Sequence, residues 1–239
     1  MRFKEKGHVG LQPAPRTVDC PACAKAKIKR RISRLARERP KNAGDRWALD
    51  LFSLEPDGDG NNKILLLADR YSGFRFTAIL DKTTTIVILK VIKHWINKLD
   101  ILKIKVKVLE LDNELADRPE IKDLLKGRGG TFEPSAPRTQ AHNGGAERSR
   151  GVLLVMARAM RGHARFPHFL WAEVIKAAVY LLNRTPRQDL HWDTPIHAFY
   201  TSVAKQNRTT PPEKPDLSHL KAYRCKAYAM TPEAQEQTQ

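Results

Sequence analysis

Three strand-like segments follow one another across short, turn-rich connections: "RWALDLFSL" from Arg46, "KILLLADRYSG" from Lys63 and "FRFTAIL" from Phe74. The first two are joined by the turn cluster "DGDGNN" and the next two by Ser72-Gly73. Strands linked so tightly must pair as an antiparallel meander. A sheet begun this way needs cover for its apolar faces, and the next segment supplies it. In "TTTIVILKVIKHWINKL", Ile86, Leu89, Ile92, Trp95, Ile96 and Leu99 recur at helical spacing and predict a helix packed on the sheet. "ILKIKVKVLEL" alternates again as a strand ending at Leu111. "DNELADRPEIKDLLKGRGG" reads as a loop and a short helix with a glycine stop, and "TFEPS" as a fifth, short strand. A helix is expected from about Gly145 to Met160, and another within "FPHFLWAEVIKAAVYLLNRTP". A meander followed by helix-linked strands is an α/β three-layer fold around a mixed five-stranded sheet flanked by helices.

This core is expected over 45–200. Residues 1–44 form a polar, basic arm, in which eight of the fifteen residues from Lys25 to Arg39 are Lys or Arg. Residues 201–239 form an irregular, Pro-rich tail, with "LKAYRCKAYAM" as an extended element. Neither "MRFKEKGHVG" nor "TPEAQEQTQ" closes a domain, so a piece of a longer polyprotein or of a decayed gene is expected. Lys and Arg number 43 against 26 acids, a net charge of +17. A charge of that size points first to nucleic acid as partner and second to an anionic membrane surface. No run approaches the roughly 18 apolar residues of a membrane span, so no membrane partner is expected. Three cysteines give no disulfide framework, and an intracellular, reducing setting is expected.

Three acids stand where such a sheet would gather them. Asp50 lies inside the first strand between Leu49 and Leu51, Asp112 follows the fourth strand, and Glu147 opens the helix after Gly144-Gly145. An acid inside an apolar strand is costly unless it is paired or binds a metal. Two readings are open for each: a hydrogen-bonded structural acid (for Glu147, a favourable charge at a helix start), or one vertex of a metal site. Converging carboxylates hold hard divalent cations, and two such ions drive phosphoryl transfer. With the basic surface, the chemistry implied is phosphoryl transfer on nucleic acid.

The motifs then resemble a known family. "WALDLFSL" with "ILLLADRYSGF", "LELDNELA" and "QAHNGGAERSRGVLLVMARAM" resemble the three catalytic blocks of the integrase of copia-type long-terminal-repeat retrotransposons, in wording most like fungal elements. "CPACAKAKIKR" resembles the end of that family's zinc-binding region, and "TPIHAFY" with "LKAYRCKAYAM" the segment trailing its core. The resemblance implies a ribonuclease-H-like fold with a DDE triad of Asp50, Asp112 and Glu147 holding two Mg²⁺ or Mn²⁺ ions. It implies 3′-end processing of element cDNA and transfer of its 3′-hydroxyls into target DNA, by a homo-oligomer in the nucleus, where "KIKRRISR" could serve as a localisation signal. Cys20 and Cys23 would be two ligands of an incomplete zinc site. Lys25, Lys27, Lys29, Arg30, Arg31, Arg138, His142, Asn143, Arg148 and Arg150 would contact DNA, with RNA as the alternative polyanion.

The chain departs from the family pattern in places. Between Asp112 and Glu147 lie 34 residues, one fewer than usual, and Glu114 replaces the glycine that usually follows Asp-Asn. His142 stands where glutamine is common, and Gly151 where a basic residue is commoner. Asp69 is expected to form a structural ion pair near Arg70, and Cys225 to be a packed apolar thiol. Trp95 and Trp171 are expected in the core, and His163 and His168 on the surface. Lys126, Arg128 and Arg138 are placed near the active face, where they could contact phosphate. The competing readings are an RNase H-type nuclease or transposase, which the cysteine pair and basic arm disfavour, and a catalytically inactive or co-opted nucleic-acid-binding fragment of a decayed element.

Overall fold

β1 (Arg46–Ser53), β2 (Lys63–Asp69) and β3 (Arg75–Leu80) form the expected antiparallel meander in the computed structural model, which describes residues 40–111, 113–134, 144–221 and 225. Asp57 closes the first loop by accepting hydrogen bonds from the amides of Asp59 and Asn61 at 3.0 and 2.8 Å. At the second turn Gly73 adopts φ +73°, a conformation that favours glycine. β4 (Val108–Leu111) pairs parallel to β1, and β5 (Thr131–Pro134) parallel to β4. The sheet order is β3-β2-β1-β4-β5, so the mixed five-stranded sheet is present as expected.

Strand alternation divides the core. Trp47, Leu49 and Leu51 of β1, Leu65 and Leu67 of β2, and Leu109 and Leu111 of β4 enter one apolar cluster. There they meet helix α1 (Thr85–Ile101) and the short helices α2 (Asn113–Ala116) and α3 (Pro119–Lys126). Phe52, Ile64 and Leu66 point to the other face and meet α4 (Gly144–Ala164) and α5 (Trp171–Leu182) through Leu153, Ala157, Val174, Ile175 and Ala178. The period of two in the strands thus gives the protein three layers.

The structure corrects several boundaries. The buried stripe of α1 is Ile88, Ile92, Trp95, Ile96 and Leu99, while Ile86 is 81% exposed. α1 continues to Ile101, where Lys103 turns left-handed (φ 56°) and the amide of Ile104 donates to the Leu99 carbonyl. The alternating "LKIKVKV" is therefore mostly a connection, and only Val108–Leu111 enters the ladder. A helix absent from the sequence reading, α6 (Pro195–Asn207), spans the expected boundary at 200. It starts on the Thr194 cap, whose side chain accepts from the His197 amide, and sinks Phe199 and Val203 into the core. Trp95 and Trp171 are buried as expected. Among the described residues, no helix is long and apolar enough to cross a membrane.

Candidate active site

Asp50 is the fifth residue of β1 and shares its side of the strand with Ala48 and Phe52, on the sheet face that α4 covers. It is 3% exposed and lies opposite Leu66 of β2. Arg150, from the second turn of α4, places Nη1 3.6 Å from Asp50 Oδ2, and its guanidinium lies 5.7 Å over the Phe52 ring. Asp50 therefore faces the helix layer and a cation, not the larger apolar cluster around Trp47.

The two other expected triad members are Asp112 and Glu147. β4 ends at Leu111, in register with Leu49 of β1, and Asp112 itself lies outside the described residues. Glu147 belongs to the first turn of α4, one turn before Arg150. Among the described residues, no three His, Cys, Asp or Glu side chains gather to hold a metal. Arg138, His142 and Asn143 lie outside the described residues, as do Cys20, Cys23, Lys25, Lys27, Lys29, Arg30 and Arg31. Arg148 is exposed on α4, whereas Arg150 is engaged with Asp50.

The sequence reading missed a second buried acid on the same sheet face. Glu110, between Leu109 and Leu111 in β4, is 3% exposed. Its Oε1 accepts from Arg46 Nη1 at 3.0 Å, and its Oε2 lies 3.4 Å from Arg70 Nε. Arg46 also holds Glu133 of β5 through two hydrogen bonds, at 2.6 and 3.0 Å. The bond from Glu133, ahead of that from Glu110, raises the Arg46 pKa further above its ordinary value, against the opposing effect of burial. The signal was in the sequence: an acid between two leucines of a strand is the same anomaly that singled out Asp50.

Other expected roles are revised. Asp69 makes no ion pair with Arg70, which serves Glu110 instead. Its buried carboxylate accepts from the Gly44 amide at 2.9 Å and from the Ser72 amide and hydroxyl at 2.8 and 2.7 Å. Burial lifts the Asp69 carboxyl to about 6, against the lowering effect of those donors. Arg128 pairs with Asp100 near the end of α1, and Lys126 ends α3; both precede β5, at the opposite end of the parallel strands from Leu111. They do not border Asp50. Cys225 is exposed rather than packed. His163 and His168 are on the surface as expected, and His168 lies 3.5 Å from Glu55.

No family model matches the chain. The chain is 32% identical over 133 residues to the retrovirus-related Pol polyprotein from transposon TNT 1-94 of Nicotiana tabacum, a match covering 55% of this chain and 9% of the relative. It is 28% identical over 108 residues to the corresponding polyprotein from transposon RE2 of Arabidopsis thaliana, covering 45% of this chain and 7% of the relative. The chain thus spans less than a tenth of the length of these curated relatives. Among solved structures, it resembles the catalytic core domain of BIV integrase, with TM-score 0.52 and 19% identity over 69% of this chain and 99% of that one. It also resembles the simian T-cell lymphotropic virus intasome in complex with the PP2A regulatory subunit B56 gamma, with TM-score 0.59 and 14% identity over 84% of this chain and 68% of that one. The HTLV-2 integrase catalytic core domain in complex with magnesium matches at TM-score 0.50 and 14% identity, over 66% of this chain and 98% of that one. The chain is a homologue of retrovirus-related Pol polyproteins of plant transposons, and it carries the ribonuclease-H-like fold of retroviral integrase catalytic cores.

Proposed function

We propose that the chain is the catalytic region of a copia-type integrase, a DDE polynucleotidyl transferase that joins the 3′ ends of element cDNA to target DNA. The observation that carries this reading is Asp50, a carboxylate 3% exposed in an apolar strand, with a cationic side chain beside it. Burying such a group for stability alone is unfavourable, and a site that must bind cations explains it. Leu49 and Leu111 are paired neighbours, so Asp50 and Asp112 each follow a paired residue in the sequence, and Glu147 lies in the first turn of the helix that reaches Asp50 through Arg150.

In this reading Asp50, Asp112 and Glu147 hold two Mg²⁺ or Mn²⁺ ions, whose preference for hard oxygen donors the three carboxylates meet. When bound, such ions supply activation of the attacking oxygen, from water or a DNA 3′-hydroxyl, and stabilisation of the departing one. Arg148 and the basic arm from Lys25 to Arg39 supply affinity for the DNA backbone by neutralising phosphates. Cys20 and Cys23 supply two of the four ligands that a tetrahedral zinc site takes. Self-association on two DNA ends and action in the nucleus belong to the same proposal.

The test is nicking and joining of a labelled DNA duplex by the purified chain with Mn²⁺. Asp112→Asn is expected to abolish both while retaining DNA binding. Equal activity in the wild type and in Asp112→Asn would refute the metal assignment. Retained binding with no activity in either protein would favour the inactive, co-opted fragment instead.

A further inference from the structure

We propose that Arg150 is an exchangeable counter-cation for Asp50: it holds the carboxylate while no divalent ion is bound and leaves it for the DNA backbone when one is. This inference rests on the metal-site reading above and assigns a residue that competes for that site.

Geometry makes the exchange feasible. α4 is anchored on the sheet by Leu153 and Ala157, buried against Phe52, Ile64 and Leu66. Arg150 lies one turn before Leu153, so its stem leaves the anchored part of the helix and reaches the Phe52 ring. Its side chain is 36% exposed while that of Asp50 is 4% exposed, so the arginine has a path to solvent that the carboxylate lacks. The contact of 3.6 Å is an ion pair longer than a hydrogen bond, without the two-point geometry that locks an arginine to its acid. The contrast is on the same sheet face: Arg46 grips Glu133 at 2.6 and 3.0 Å and Glu110 at 3.0 Å. That cluster has its cations fixed by hydrogen bonds, whereas the contact of Arg150 with Asp50 is an ion pair at 3.6 Å.

A divalent ion on Asp50 would bring two further positive charges beside the guanidinium. Repulsion at that distance in a partly desolvated site is strong, so an ion on Asp50 weakens the hold of Arg150 on the carboxylate. Arg150 then projects from the same helix as the exposed Arg148, and both can meet phosphate. Arg150 therefore weakens ion binding in the free protein and couples it to DNA binding.

The experiment is an Mn²⁺ titration of the full chain, read by the paramagnetic signal of free Mn²⁺ and by the ion-induced shift in melting temperature. It compares wild type, Arg150→Gln, Arg150→Met and Asp50→Asn, each checked for folding by circular dichroism. Arg150→Met keeps an apolar stem over Phe52, so the two charge-removing variants guard each other against a folding defect. Either Arg150 variant is expected to bind Mn²⁺ about two- to fivefold more tightly than wild type, the order expected for losing one partly exposed like charge. Asp50→Asn is expected to lose the site. An unchanged or weaker midpoint in both Arg150 variants, with the site still lost in Asp50→Asn, would overturn this inference and leave the metal reading standing. Unchanged Mn²⁺ binding in Asp50→Asn would overturn the metal reading itself.

Discussion

Replacing Arg46 by methionine tests how the central strands are held in register beside the candidate site. Arg46 spans three strands: it begins β1, donates to Glu110 of β4 at 3.0 Å, and grips Glu133 of β5 at 2.6 and 3.0 Å. Methionine keeps most of the stem but removes all three bonds. The two acids contribute unequally to the expected loss. Glu133 is 42% exposed, so its share is that of a screened surface pair, roughly 0.5–1 kcal/mol. Glu110 is 3% exposed, and removing one of its cations disturbs a buried charge, a change that costs about 3–5 kcal/mol when the charge is left uncompensated. Arg70, 3.4 Å from its other oxygen, compensates in part and brings the total to roughly 2–4 kcal/mol. For a domain of this size each kcal/mol moves the melting temperature by about 2–4 °C, so a fall of roughly 5–15 °C is expected. The decisive assay is a double-mutant cycle in urea with Glu110→Gln. Residues sharing one buried network should show a coupling of about 1–3 kcal/mol, the double variant being less damaged than the two single losses together predict. Additive losses, or an Arg46→Met protein within about 0.5 kcal/mol of wild type, would refute the claim that this network holds β1, β4 and β5 together.

Two further outcomes follow from the packing and from the buried turn. Ile88→Ala should cost about 2–4 kcal/mol, because Ile88 is fully buried, whereas Ile86→Ala should stay within about 0.5 kcal/mol, because Ile86 is 81% exposed. Equal effects in thermal unfolding would mean α1 is rotated from the orientation described. Asp69 is held near pKa 6 by burial, above its ordinary 3.8. Because the folded value is the higher one, the folded chain binds this proton more tightly than the unfolded chain. Its contribution is fully present below about pH 4 and is lost as pH rises through 6, by up to ~3 kcal/mol. The slope of stability against pH between 4 and 6 should be less negative in Asp69→Asn than in wild type, and identical slopes would refute the shift.

The meander was legible because alternation and turn chemistry agree: Trp47, Leu49 and Leu51 point one way, and Gly73 stands where a left-handed residue is required. Alternation misled where no partner strand exists. The run from Ile101 to Lys107 has the pattern of a strand, yet a ladder also needs a neighbour, and here α1 runs on to Ile101 and the Ile104 amide donates back to the Leu99 carbonyl instead. α6 was missed although its start signal, Thr194 before Pro195, is present. Its β-branched and aromatic residues dilute the helical pattern, and the spacing of Phe199 and Val203 becomes informative only with the cluster they enter. In the site, Asp50 was visible as an acid among leucines. Its pairing with Arg150 was not, because the two are a hundred residues apart and meet only through the docking of Leu153 and Ala157 under the sheet.

Glu110 shows why a buried acid alone does not identify a catalytic centre. Asp50 and Glu110 are both 3% exposed, both lie in apolar strands and both face the same side of the sheet. A rule that flags buried acids treats them alike, and the separation comes from their cations. Those of Glu110 are Arg46, which begins β1, and Arg70, which follows β2; they belong to the same sheet and arrive with it as it folds. The cation of Asp50 comes from a separate helix, at ion-pair distance, on a side chain 36% exposed. A group neutralised by its own sheet is fixed for stability, while one neutralised from outside retains the capacity to exchange partners. The Mn²⁺ titration therefore has a built-in control: Glu110→Gln should destabilise the chain without changing the number of ions bound, and Asp50→Asn should remove an ion site. If both substitutions removed a site, the fixed cations of Glu110 would not protect it from the ion, and the distinction between the two acids would fail.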